Sequence, residues 1–203
     1  MGNHKWQRIF FWLSPKRVIR SIDSSVWFLV PKTNRKIAFQ KLEEALSLIR
    51  EYSPVRFTQL SGDVEKILVA GDPSFHGQYI RELNLIELYD DYVISSETTV
   101  EELASTLVHE AQHARQFRLG IGYDETERDR VERMCFLSER NFGRRIPSGS
   151  KVIEKAEAWL NISSGHHFSN EARKEAKFEA LEKLGCPAWL INLLKWWVQR
   201  KAT

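Results

Sequence analysis

Cysteine is nearly absent. Only Cys135 and Cys186 occur in 203 residues, too few and too far apart for a disulfide framework, so a reducing compartment is expected. Long apolar runs are lacking too, and none approaches the ~20 residues of a membrane span. The nearest thing to a secretory signal is Ile9–Leu13 behind Lys5 and Arg8, with Pro15, Lys16 and Arg17 following at once. A signal's apolar region needs ~7–15 residues, so a signal peptide is excluded. Trp6 stands where N-myristoylation of Gly2 expects Ser or Thr. These absences predict a cytoplasmic protein. A strong charge excess is also missing: 30 basic against 27 acidic residues leave a net +3, so no specific nucleic-acid partner is expected. Neither an internal repeat nor a low-complexity tract is found, which argues against a solenoid or a disordered chain.

What remains is a globular composition, 42% hydrophobic and 28% charged, enough for one domain with at most a small appendage. Charge is unevenly spread. Residues 1–36 carry eight Lys and Arg against the single Asp23, while residues 97–139 carry ten carboxylates against five Arg. A basic, Trp-containing arm over 1–21 therefore precedes an acidic centre.

Hydrophobic periodicity orders the rest. Ile22–Val30 reads as a strand stopped by Pro31. Residues 34–52 read as a helix, with Ile37, Leu42, Ala45, Leu46 and Ile49 at helical spacing. Val55–Leu60 and Lys66–Ala70 read as two short strands around a Ser61-Gly62-Asp63 turn. Gln78–Tyr89 is one long strand or a hairpin bent near Asn84. Thr98 or Thr99 with Glu101 or Glu102 forms a capping box, opening a helix to about Leu119. A second helix is expected over 124–141, a linker at Pro147–Gly149, and further helices over 151–162, 170–184 and 187–200. The class predicted is α+β, with a core over 22–146 and a helical C-terminal subdomain over 147–203, packed on that core.

The chemistry concentrates in His109-Glu110-Ala111-Gln112-His113. Spacing i, i+4 puts both imidazoles on one helical face, where they can share a Zn²⁺. Glu110 lies ~100° round the helix, beside the metal rather than on it, placed to take a proton from zinc-bound water. At that angular step Leu103, Ala104, Leu107, Val108, Ala111 and Ala114 fall opposite the histidines. Glu102, Ser105, Thr106, Gln112 and Gln116 share their side, which predicts imidazoles on a polar, open face. Zinc needs a third ligand. Of the carboxylates in the next helix, Glu132 stands nearest the buried side, among Val131, Met134, Cys135 and Phe136. Asp129 and Glu127 are the alternatives.

This arrangement resembles the zincin metallopeptidases, and within them the gluzincins, in which HExxH is followed by a ligand Glu on the next helix. The 18 residues between His113 and Glu132 match the aminopeptidase-containing branch. Gln116 extends the motif to HExxHxxQ, similar to small bacterial zincins. Leu119, where a third metzincin His would stand, excludes that class. The resemblance implies a minimal zincin domain holding zinc through His109, His113 and Glu132. It also implies hydrolysis of peptide or protein substrates with Glu110 as general base. A Tyr or His near the metal is implied as well, to stabilise the oxyanion, and Tyr123, His166 and His167 are the candidates. Val131 and Phe136 replace the Asn and Asp that orient the histidines in thermolysin-like members. That task is expected of Asp129, Gln116 or main-chain carbonyls. The contrasting expectation is a catalytically silent zincin scaffold that binds a protein or a membrane surface. Its basic arm and its 187–200 helix would carry the contact, the latter being apolar nearly all round.

Overall fold

The computed structural model describes residues 16–19, 24–28, 32–70, 75–124, 126–162, 178–179, 181–182 and 185–200. Helices dominate these, with a mixed sheet among them, an α+β arrangement. Five strands, β1 (Lys16–Ile19), β2 (Ser24–Phe28), β3 (Lys66–Ala70), β4 (Gly77–Ile80) and β5 (Leu85–Tyr89), lie in the order β1-β2-β3-β5-β4. The central pairs are parallel, with Val26 opposite Ile67 and Ile67 opposite Ile86. Both outer pairs are antiparallel. The basic arm thus supplies an edge strand at 16–19 and is not wholly an appendage.

Among the described residues the helices are α1 (Lys32–Tyr52), α2 (Pro54–Asp63), the short α3 (Asp90–Ile94), α4 (Val100–Arg118), α5 (Arg128–Gly143), α6 (Ser150–Asn161) and α7 (Ala188–Arg200). The expected strand over 55–60 is helix α2 instead. Pro54 at the first helical turn presets its φ, and Thr58 and Ser61 return their hydroxyls to the carbonyls of Pro54 and Phe57. Leu60 and Asp63 are then buried while Val55 stays exposed. Tertiary packing has overridden β propensity here. Residues 77–89 form the hairpin alternative. Its bend is a 3₁₀ turn at Arg81–Leu83 closed by Asn84 at φ 46, a left-handed conformation that Asn tolerates.

One core cluster joins α1, α2, β3, β5 and α4 through Leu42, Leu46, Ile49, Leu60, Ile67, Ile86, Leu103 and Leu107. Asp63, almost wholly buried, ties the end of α2 to the last turn of α4 through Arg118 at 2.7 Å. Residues 147–149, expected as a linker, are a tight crossing between α5 and α6. A Cβ on Gly149 would stand 1.8 Å from the carbonyl oxygen of Gly143, so only glycine fits.

The chain divides into units 1–163 and 164–203. Helix α6 therefore belongs with the first unit, contrary to the expected boundary at 146/147. In the second unit α7 exposes Trp189, Leu193 and Trp196, at the i, i+4, i+7 spacing of one helical stripe. Among the described residues no helix is long and apolar enough to cross a membrane.

Candidate metal centre

Helix α4 begins where the capping box predicts. Thr99 Oγ1 accepts from the Glu102 amide at 3.2 Å, and Glu102 Oε2 accepts from the Thr99 amide at 2.9 Å. Starting there, the helix buries Leu103, Ala104, Leu107, Val108, Ala111 and Ala114 in the core. Its other side is not the open face expected. Ser105, Thr106, Gln112 and Gln116 are buried as well: α5 lies over Ser105, Gln112 and Gln116, while Tyr92 and β4 meet Thr106. Ser138 Oγ donates to Gln112 Oε1 at 3.2 Å, and Gln116 Nε2 donates to the Val131 carbonyl at 3.3 Å. Gln116 is thus a strut between helices, not a surface residue.

Between α4 and α5 three donors converge. His109 Nε2 and His113 Nε2 stand 3.2 Å apart, and Glu132 Oε2 lies 3.3 Å from the first and 3.6 Å from the second. A tetrahedral ion with bonds of ~2.0–2.1 Å separates its ligands by about 3.3 Å. The triangle therefore has the size of a metal site, and its imidazole and carboxylate donors suit a divalent cation. Glu127, by contrast, is partly exposed and paired with Arg130 at 3.1 Å, and Asp129 stands in the first turn of α5.

His109 and Glu132 are each held from behind by a hydrogen bond. His109 Nδ1 lies 2.6 Å from Glu139 Oε1; with the proton on Nδ1, the Nε2 lone pair faces the triangle. Glu139 is fixed in turn by Ser105 Oγ, which donates to its other oxygen at 2.6 Å. The Tyr123 hydroxyl donates to Glu132 Oε1, leaving Oε2 for the histidines. Tyr123 also sets its ring edge-on to His113, centroids 5.4 Å apart. Phe136 packs edge-on against His109 and stacks on Trp159. The orienting carboxylate is therefore Glu139, not Asp129, Gln116 or a main-chain carbonyl. Tyr123 holds a donor rather than pointing its hydroxyl at a reacting group. His166 and His167 lie outside the described residues.

The electrostatics follow from this crowding. Burial acts to lower the pKa of His109, but hydrogen bonds to Glu132 and Glu139 outweigh it and raise it well above 6.5. Burial would raise Glu132, and the two histidines instead hold it far below the usual carboxylate range. Glu110 is buried and its pKa is raised by that burial, against the opposing pull of His109 and His113.

Glu110 abuts the outer strand β4. A Cβ on Gly77 would stand 3.4 Å from Glu110 Cγ and 2.8 Å from Thr106 Cγ2, so glycine is needed for the strand to approach α4. Just before it His76 stacks flat on Tyr92, centroids 4.3 Å apart. The Tyr92 hydroxyl shares a 3.0 Å hydrogen bond with Thr106, and its pKa is pushed up to about 12 by burial.

The sequence offers three residues here without assigning their roles. Glu139, one of the carboxylates available in that helix, is seven residues after Glu132, on the same stripe of α5, and Ser105 lies on the histidine side of α4. Cys135 is three residues after Glu132. Its Sγ and a ring nitrogen of each histidine all lie within 4.8 Å of one another, a group that could hold a metal ion. Burial pushes the Cys135 thiol up, and the carboxylates of Glu132, Glu110 and Glu139 push it further. No protein-family model, curated protein or solved structure matches the chain.

Proposed function

We propose that the chain is a zinc-dependent hydrolase of zincin type, cleaving peptide bonds. The observation that carries this is the donor triangle of 3.2, 3.3 and 3.6 Å edges formed by His109, His113 and Glu132, with Glu110 next to it on α4. Zinc held there would supply a Lewis acid that polarises a carbonyl and acidifies water. The chain's own residues do the rest. Glu139, steadied by Ser105, keeps His109 in the tautomer that offers Nε2. Tyr123 keeps Glu132 turned so that one oxygen faces the histidines. Glu110 accepts the proton of the attacking water and delivers it to the leaving amine. Its buried position raises its affinity for that proton, so turnover falls as pH drops through its raised pKa.

A peptide is favoured over other acyl substrates by β4. An outer strand beside the general base can take an extended chain through main-chain hydrogen bonds, and Gly77 leaves no side chain between that strand and Glu110.

The test is a peptide library digested by wild type and Glu110→Gln in parallel. Glutamine keeps the shape but cannot accept the proton, so zinc content stays and turnover falls by ~10²–10⁴-fold. Equal cleavage by both proteins overturns the role given to Glu110. A wild type that carries zinc and cleaves nothing overturns the peptidase reading and returns the silent scaffold.

A further inference from the structure

We infer that Cys135 is a fourth donor to the metal, its Sγ binding the ion held by His109, His113 and Glu132 and closing the site. The inference rests on the metal reading of that triangle and adds a regulatory state to it. Glu132, Cys135 and Glu139 stand at i, i+3 and i+7, so α5 turns one continuous stripe of them toward the two histidines. Sγ lies within 4.8 Å of a ring nitrogen of each histidine. A tetrahedral ion with a sulfur bond of ~2.3 Å and nitrogen bonds of ~2.0–2.1 Å needs an S···N separation of about 3.6 Å. Relative to those nitrogens Sγ therefore has about 1.2 Å at most to close.

What Sγ leaves behind is weak. Cys135 is wholly buried, and its thiol donates to Gln116 Oε1 at 3.8 Å. On coordination the S–H bond breaks, its proton passes to solvent, and the electron pair forms the S–metal bond, with no change of oxidation state. Thiolate also biases the site toward softer ions such as zinc or cobalt over magnesium or calcium. Two positions of one thiol then define two states. With Sγ on Gln116 the triangle keeps an open position for water. With Sγ on the metal, four protein donors leave none, and Glu110 has no water to act on.

Cobalt(II) uptake by the full chain tests this without relying on activity. Wild type loaded with one cobalt per chain is expected to show visible bands of a four-coordinate ion together with a near-ultraviolet thiolate-to-cobalt charge-transfer band. Cys186→Ser should keep that band. Cys135→Ser should lose it while retaining the visible bands, with cobalt bound at least about tenfold more weakly. The wild-type spectrum decides even if the Cys135 variant fails to fold. Stoichiometric cobalt with visible bands but no charge-transfer band overturns the thiolate ligand and leaves the His–His–Glu site intact. A charge-transfer band that persists in Cys135→Ser overturns it equally. Failure of wild type to take up cobalt or zinc at all overturns the metal reading, and this inference with it.

Discussion

The two sides of α4 are both buried, and they are buried by different physics. Toward the core, Leu103, Leu107 and Ala104 are shut off from solvent among aliphatic side chains of α1, α2 and the sheet. Toward α5, Ser105, Gln112 and Gln116 are shut off almost as completely, but each side chain there has a hydrogen-bond partner on α5. The first side gains from every apolar atom removed from water. The second gains little from burial, because hydrogen bonds to protein only replace those to water, yet their direction orients the side chains that make them. One side holds the fold and the other holds the site.

The largest effect that would break this division is on the apolar side. Leu107→Ala removes a fully buried side chain and should destabilise the unit by ~2–5 kcal/mol. Metal affinity of the protein that remains folded should not change. Urea unfolding paired with zinc titration measures both, and a variant of unchanged stability but lost zinc would reverse the roles assigned to the two sides.

Next in size is Glu139→Gln on the polar side. The side chain keeps its volume but loses the charge that orients His109, so zinc affinity should fall ~10–100-fold while the unfolding midpoint moves less than for Leu107→Ala. Ser105→Ala removes a single hydrogen bond to Glu139 and should cost about 1 kcal/mol, with a smaller loss of zinc. Competition against a chelator ranks the two. Equal zinc affinity in wild type and Glu139→Gln would remove Glu139 from the site.

These contrasts explain what could be read from the residues alone. The cap of α4 was legible because Thr99 and Glu102 satisfy each other locally, and so was the imidazole pair, because i, i+4 spacing needs no tertiary information. The apolar stripe also landed where periodicity put it. The polar stripe did not: periodicity separates polar from apolar but cannot tell water from a neighbouring helix rich in partners. The role of Glu139 is hidden for the same reason, since a carboxylate seven residues beyond Glu132 looks solvated until α5 is laid across Ser105 and His109. Helix α2 was misread because Val55, Phe57 and Thr58 favour strands, while Pro54 and the docking of Leu60 and Asp63 decide otherwise.

A pH series sharpens the comparison, since the polar side titrates and the apolar side does not. In metal-free protein His109 is raised above its ordinary 6.5 by Glu132 and Glu139 against the effect of burial. Its contribution to stability is complete below 6.5 and is lost as pH rises through the raised value. Glu132 is depressed below its ordinary 4.5, so its contribution is present above 4.5 and is lost as pH falls through the depressed value. The melting temperature in chelator should therefore be highest between these limits. Zinc affinity should instead climb with pH across the His109 range, because the metal must displace that proton. A metal-free melting temperature that stays level from 6.5 upward would show that His109 holds no extra proton.

The smallest effect belongs to Glu127→Gln, and its smallness is informative. Glu127 precedes α5 by one residue, and its carboxylate pairs with the exposed Arg130 guanidinium at 3.1 Å. Such a pair is worth ~0–1 kcal/mol, so stability should scarcely move, and zinc affinity should not move at all. Glu132→Gln, five residues on, takes a donor oxygen from the triangle and should weaken zinc strongly. The two variants differ by about one and a half helical turns on the same segment, so the pair reads the register of α5 against α4 directly. Zinc loss in Glu127→Gln with retention in Glu132→Gln would mean that α5 lies rotated. Glu139 and Cys135 would then face away from the histidines, and the polar side of α4 would lose the partners that keep it dry.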